Sequence, residues 1–163
     1  MIASTIILIS IVVVATSPNV HAQTYSYLLN AKGQAIICGD GSTNLELSLS
    51  GTATGGLTSY MYLSIDSWPS SYLDVDGTKF PIIGGRGLLI QSYHYLSLTI
   101  YLIPPDGGPS SYCRLRGTTG ELDYNNYLEL EDFVCFLACR VPLYPGYLQF
   151  CYWSFSQGGI AFT

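Results

Sequence analysis

Every second side chain is aliphatic in Leu45-Glu-Leu47-Ser-Leu49-Ser and again in Leu96-Ser-Leu98-Thr-Ile100-Tyr-Leu102. A period of two turns one face of an extended chain toward a core and the other toward water, so both segments read as half-buried strands. Tyr60-Met-Tyr62-Leu-Ser-Ile65, Tyr127-Leu-Glu-Leu-Glu131 and Leu148-Gln-Phe150-Cys-Tyr152-Trp-Ser-Phe155 carry the pattern more weakly. Residues that supply positive φ or a preset bend lie between them: Gly39-Asp-Gly41, Gly55-Gly56, Asp76-Gly77, Gly84-Gly-Arg-Gly87, Pro104-Pro-Asp-Gly-Gly-Pro109, Gly117-Thr-Thr-Gly120 and Gly158-Gly159. All seven read as turns. The spacing predicts about eight to ten short strands, hence an all-β fold, a single antiparallel β-sandwich or β-barrel domain. One stretch fits two periods. Leu130, Phe133, Val134, Leu137 and Val141 fall at helical intervals, with Asp132 as a cap and Pro142 as a stop, but the Phe, Val and Cys content favours a strand over 132–140.

The amino-terminal end breaks the pattern. From Ile2 to Ala15 the chain is uncharged and almost wholly aliphatic, Pro18 interrupts it, and Val20-His21-Ala22 offers a peptidase the small or β-branched residues it accepts before Gln23. Residues 1–22 therefore read as a secretory signal peptide and 23–163 as the secreted β domain. The apolar run is shorter than the roughly 20 residues a spanning helix needs, so no stable membrane insertion is expected after cleavage. No Lys or Arg precedes the run. Either the amino terminus alone supplies the positive end or the true start lies upstream.

All 6 Lys and Arg and all 11 Asp and Glu fall after residue 22, giving a formal charge of −5. A phosphate backbone is repelled by that charge, and the sequence shows no basic cluster to offset it. Arg114-Leu-Arg116 reads as one solvated strand face, so no nucleic acid partner is expected, and anionic membrane surfaces are disfavoured for the same reason. Only 10% of residues are charged, while Tyr numbers 14 and Gly 17, which is a composition for a β surface covered in hydroxyls rather than for disorder.

Five cysteines, Cys38, Cys113, Cys135, Cys139 and Cys151, in an exported chain suggest two disulfides and one spare thiol. As a strand, 135–139 separates its two cysteines by about 13 Å, too far for a bridge between them. The expected pairs are Cys38 with Cys113, and Cys135 or Cys139 with Cys151. The sharper alternative makes Cys135, Cys139, Cys151 and His94 a metal site, but metal cysteines come as close pairs and His94 stands among Tyr93 and Tyr95 in a predicted strand; no metal and no cofactor is expected. Asp74-Val-Asp76-Gly77 opens like a calcium loop and lacks its later ligands, so it reads as a tight turn.

No catalytic residue is assigned. The only histidine after residue 22 is His94, no Gly-x-Ser-x-Gly elbow exists, and the glycine cluster at 84–87 lacks the Lys-Ser/Thr of a phosphate loop. Glu129 and Glu131 share one strand face at about 6 to 7 Å, within the range of glycosidase carboxylates. Alternating Leu and Glu is equally the pattern of a solvent-facing strand. No Asn-x-Ser/Thr sequon is present.

Aromatic residues are the best functional lead. Tyr60, Tyr62, Trp68, Tyr93, Tyr95, Tyr101, Trp153 and Phe155 lie in or beside predicted strands. Such rings beside hydroxyl-rich neighbours bind sugars or proteins by stacking and apolar burial, and the first seven form the candidate binding face. The competing role is cross-strand pairing that stabilises the sheet.

Gln23-Thr-Tyr-Ser-Tyr27, Ala31-Lys-Gly33, Cys38-Gly-Asp-Gly41, Leu45-Glu-Leu-Ser-Leu49-Ser-Gly51 and Leu115-Arg-Gly-Thr-Thr-Gly120 together resemble small exported all-β proteins of ammonia-oxidising archaea. The resemblance implies a β fold and export and brings no catalytic residue; the segment from Cys135 to Cys151 matches least. The expected protein is an exported domain that acts by binding an extracellular glycan or surface protein, released or at the cell surface. The alternative is a secreted enzyme, a carboxylate-based glycan hydrolase, or a metal carrier.

Overall fold

The computed structural model describes residues 22–37, 41–103, 110–135, 139–143 and 146–163, with side chains described for these except 36–37, 41, 132–135, 139–143 and 146–153. The expected signal peptide, apart from Ala22, lies outside the described residues. Ten strands follow one another: β1 (Gln23–Ile37), β2 (Gly41–Gly55), β3 (Tyr60–Ile65), β4 (Tyr72–Val75), β5 (Thr78–Ile90), β6 (Tyr95–Leu102), β7 (Ser111–Thr119), β8 (Tyr127–Cys135), β9 (Cys139–Leu143) and β10 (Gly146–Phe162).

The sheet runs β1-β10-β8-β7-β6-β5-β3-β2, and the additional β1–β2 pairing joins its two ends. The result is a closed antiparallel barrel of eight strand positions, which settles the choice between sandwich and barrel. Closure removes the free edges that an open sheet exposes. The closing seam pairs Tyr27 with Phe162 and Ile37 with Phe150, residues far apart in the chain.

Two of the eight positions are shared. Between β2 and β5, β3 pairs with Gly51–Gly55 of β2 and β4 with Leu45–Ser48, so the two are halves of one strand split by residues 66–71. The excursion is anchored at both ends: the Asp66 amide donates to the Ser50 carbonyl at 2.9 Å, and the buried Ser71 hydroxyl accepts from the Ser50 amide at 3.1 Å. β9 likewise takes up the course of β8 beside β10, with Cys135 opposite Trp153 and Cys139 opposite Phe150. The stretch that fitted two periods is thus strand wherever it is described.

Alternation decides what faces inward. Leu45, Leu47 and Leu49 of β2, and Leu96, Leu98, Ile100 and Leu102 of β6, are buried, while their sequence neighbours point outward. Phe80, Ile82 and Leu89 of β5 and Leu29 of β1 join them. Eight strands enclose a space just wide enough for such side chains to fill.

Three of the glycine runs are not turns. Gly84–Gly87 lies within β5, Gly117 to Thr119 completes β7, and Gly158-Gly159 lies within β10. The reason is crowding inside a small barrel. A Cβ on Gly85 would stand 2.4 Å from the Thr99 carbonyl oxygen, and one on Gly87 would stand 2.4 Å from Leu98 Cδ2. Glycine within a strand marks such close approaches. Gly55-Gly56 and Asp76-Gly77 do turn the chain, with Asp76 at φ 47° and Gly77 at φ 86°.

Candidate functional site

Register across β3, β5, β6 and β7 organises the outer wall into rungs. Tyr60 lies opposite Ile90, Ile90 opposite Tyr95, and Tyr95 opposite Thr118. The next rung is Tyr62, Leu88, Ser97 and Arg116, and the one beyond it is Ser64, Arg86, Thr99 and Arg114. A fourth rung sets Gly84, Tyr101 and Tyr112 side by side. Side chains two apart on a strand share a face, so all of these point away from the core.

The aromatic residues singled out in the sequence therefore divide. Tyr60 and Tyr62 are 54% and 62% exposed, and their rings meet edge to face with centroids 5.8 Å apart. Tyr95 and Tyr101 lie on the same wall, the first half-buried and the second exposed. Tyr93 is exposed on the 3-10 turn Gln91–Tyr93 that joins β5 to β6, just below the Tyr60 rung. Trp68 stands apart on the 66–71 excursion, edge to face with Tyr72 at 6.2 Å, while the Lys79 ammonium sits 4.1 Å from the Tyr72 ring centroid. The side chain of Trp153 lies outside the described residues; its backbone pairs with Ala35 and Cys135, on the far side of the barrel from β5. Phe155, also named among the aromatics, is buried.

Two members of this wall were missed by sequence reasoning. Tyr112 is exposed and lies opposite Tyr101, and Arg86 is brought beside the rung of Arg114. The Arg114 guanidinium lies 5.9 Å from the Tyr112 ring centroid. The expectation that no basic cluster exists held for the linear sequence only, because β-pairing joins residues 28 positions apart.

His94 is not in a strand: it occupies a left-handed position, φ 48°, ending the 3-10 turn, with Nδ1 3.4 Å from the Gly120 carbonyl oxygen. That turn lies at the end of the barrel opposite β9, so His94 and Cys139 do not belong to one metal site. Among the described residues no group of three or more His, Cys, Asp or Glu is placed to hold a metal. Of the five cysteines, only Cys113 has a described side chain, buried on the inner face of β7. Glu129 and Glu131 both lie exposed on β8.

Asp74 and Asp76 serve the β4–β5 turn. Asp74 accepts from the Gly77 amide at 2.7 Å, and Asp76 accepts from the Thr43 hydroxyl and from the Asn44 amide at 3.1 Å. The hydrogen bonds from Thr43 and Asn44 hold the Asp76 carboxyl below its ordinary value. Asp123 is lowered in the same way by the amides of Tyr127 and Asn125, each at 2.8 Å, in the loop before β8. Both carboxylates are committed to backbone donors, as turn-closing aspartates are.

A shallow groove lies on the opposite wall. Gly159 and Ala161 form the floor of this groove, of about 280 Å³, beside Tyr127, Leu28 and Asn30. It is shallow because the Tyr127 ring already covers Gly159: a Cβ there would stand 2.0 Å from the tyrosine oxygen.

No family model, curated protein or solved structure matches this chain. Its class is that of an eight-position meander barrel with a filled interior and an aromatic and cationic outer wall.

Proposed function

We propose that this chain is an exported, non-enzymatic binding module that works outside the cell or at its surface and takes its partner on the outer wall of β3, β5, β6 and β7. The observation that carries this reading is the pair Tyr60 and Tyr62, both more than half exposed and continued across the register by Ile90, Leu88 and Tyr95. Rings on the inner face of β3 would be buried, as Met61 and Leu63 are. Paired rings standing in water offer apolar area to a sugar or a protein at little entropic cost. The two-disulfide framework belongs to the same reading, supported by the export signal and by the burial of Cys113.

Two measurements test it. Intact mass of the secreted protein, alkylated before and after reduction, should begin at Gln23 with four cysteines protected; a retained leader or five free thiols overturns export or bridging. Binding to a glycan panel should fall at least tenfold in Tyr60→Ala/Tyr62→Ala and be untouched in Glu129→Gln/Glu131→Gln. Glycan hydrolysis that disappears in the glutamate variant would establish the enzyme instead.

A further inference from the structure

The arginines of the outer wall carry more than a general binding reading. Of the Lys and Arg in the chain, three stand together: Arg86 and Arg114 flank Thr99 on one rung, and Arg116 follows Arg114 on the same face of β7. Two strand spacings put the first pair about 10 Å apart at the backbone, and two residues put the second about 7 Å apart. All three are exposed. Among the described residues the one ion pair is Lys32 with Glu46 at 3.2 Å, so no described carboxylate neutralises any of the three. Of the described carboxylates, Asp66 follows Ser64 by two residues at the end of β3 and Glu129 and Glu131 stand on β8 beside β7, while Glu46 lies on β2, Asp74 and Asp76 at the β4–β5 turn, and Glu121 and Asp123 in the loop before β8.

An acidic protein, −5 overall, thus gathers three guanidiniums on one wall, with Asp66 and Glu131 at its margins, bordered by Tyr60 and Tyr62 on one side and Tyr101 and Tyr112 on the other. Unpaired guanidiniums are planar forks suited to carboxylates. The flanking tyrosines, with Ser64, Ser97 and Thr99 between, suit sugar rings and hydroxyls. A polymer with one charge about every 1.7 Å, as in duplex DNA, would be repelled by the acidic remainder. A polymer whose carboxylates are spaced by whole sugars matches three cations about 7 to 10 Å apart.

We infer that this wall docks an acidic polysaccharide, its uronate carboxylates taken by Arg86, Arg114 and Arg116 and its sugar rings laid on the flanking tyrosines. The inference rests on the binding-module reading above and names its ligand class.

Titration of the full-chain secreted protein with polygalacturonate, neutral dextran, dextran sulfate and an oligo-dT strand tests it. Polygalacturonate should bind best, and more weakly as salt rises. Arg86→Gln, Arg114→Gln and Arg116→Gln should each weaken it about three- to tenfold, and the triple variant about a hundredfold or more. Arg114→Lys, which keeps the charge and loses the fork, should fall between wild type and Arg114→Gln. An unchanged thermal midpoint in each variant separates lost contact from lost fold. Oligo-dT or dextran sulfate bound more tightly than polygalacturonate overturns the inference, as does a triple variant that binds polygalacturonate normally. Dextran bound through Tyr60 and Tyr62 with no role for the arginines overturns the inference and leaves the binding-module reading standing. Binding of none of the four overturns the inference, and the glycan panel then decides the broader reading.

Discussion

Tyr27 lies across Gly51: a Cβ at position 51 would stand 3.1 Å from the tyrosine Cε1. The two residues are partners in the β1–β2 register, and absence of a side chain on one lets the ring of the other pass over it to the next strand, where its hydroxyl donates to the Ser64 carbonyl at 3.3 Å. Tyr27 is 3% exposed and also meets Phe162, ring centroids 6.5 Å apart, so it ties β2, β3 and the closing seam to one side chain.

Tyr27→Phe keeps the ring and removes the hydroxyl. The expected cost is about 0.5–1.5 kcal/mol of stability at neutral pH by urea unfolding. Burial, reinforced by the nearby Asp66 charge, holds the phenol protonated far above its ordinary value of 10.0. The unfolded chain ionises this phenol first, so its contribution is fully present below pH 10 and is lost as pH rises beyond it. The stability difference between wild type and Tyr27→Phe should therefore shrink with alkaline pH. A difference that stays constant from pH 8 to 11 would show that the phenol ionises equally in both states.

Gly51→Ala and Gly159→Ala should differ. At position 51 the new Cβ meets the Ser64 backbone oxygen at 1.9 Å, and the backbone of two paired strands must move. At position 159 it meets the Tyr127 ring, which is 40% exposed and has water to swing into. The expected losses are about 3 kcal/mol or more for the first and about 1 kcal/mol for the second, read as the shift in denaturation midpoint. Equal losses would mean that Tyr127 is as fixed as backbone.

Asp76 and Asp123 contribute to the acid limb of the stability curve. Their folded carboxyls titrate below the ordinary value of 3.8, so the stabilisation they give is present above that value and is lost as pH falls through the folded one. Asp76→Asn/Asp123→Asn retains an acceptor at each site and has no proton to gain. Its unfolding midpoint should decline less between pH 5 and pH 2 than that of the wild type, and parallel curves would contradict the assignment.

Ser71→Ala should loosen the 66–71 excursion without opening the barrel. The buried hydroxyl bonds the Ser50 amide, and its loss leaves that donor without this partner, at about 1–2 kcal/mol. Hydrogen exchange should quicken at Ser50 and the excursion, and the closing seam should be unaffected.

Much of the wall was legible in one dimension. The aliphatic alternation of 45–49 and 96–102 reports one face each of β2 and β6, because period two is the geometry of any half-buried strand. Closure was not legible: the Tyr27–Phe162 and Ile37–Phe150 pairs join the two ends of the chain and leave no local signal. The glycines of 84–87 misled for a related reason. A glycine needed so that Leu98 and the Thr99 carbonyl can approach looks, in sequence, like a glycine needed for a bend. Arg86 was invisible as a partner of Arg114 until the β5–β6–β7 register set Thr99 between them.

The shared strand position between β2 and β5 has a further consequence. The chain leaves at Ile65 and returns at Tyr72, yet the partner strand β2 advances only from Gly51 to Ser48. The number of residues in the detour is thereby uncoupled from the ladder on either side. Lengthening it past Trp68 leaves the pairing intact so long as Asp66 and Ser71 keep their hold on Ser50, which makes this the natural place to graft a foreign peptide onto the barrel.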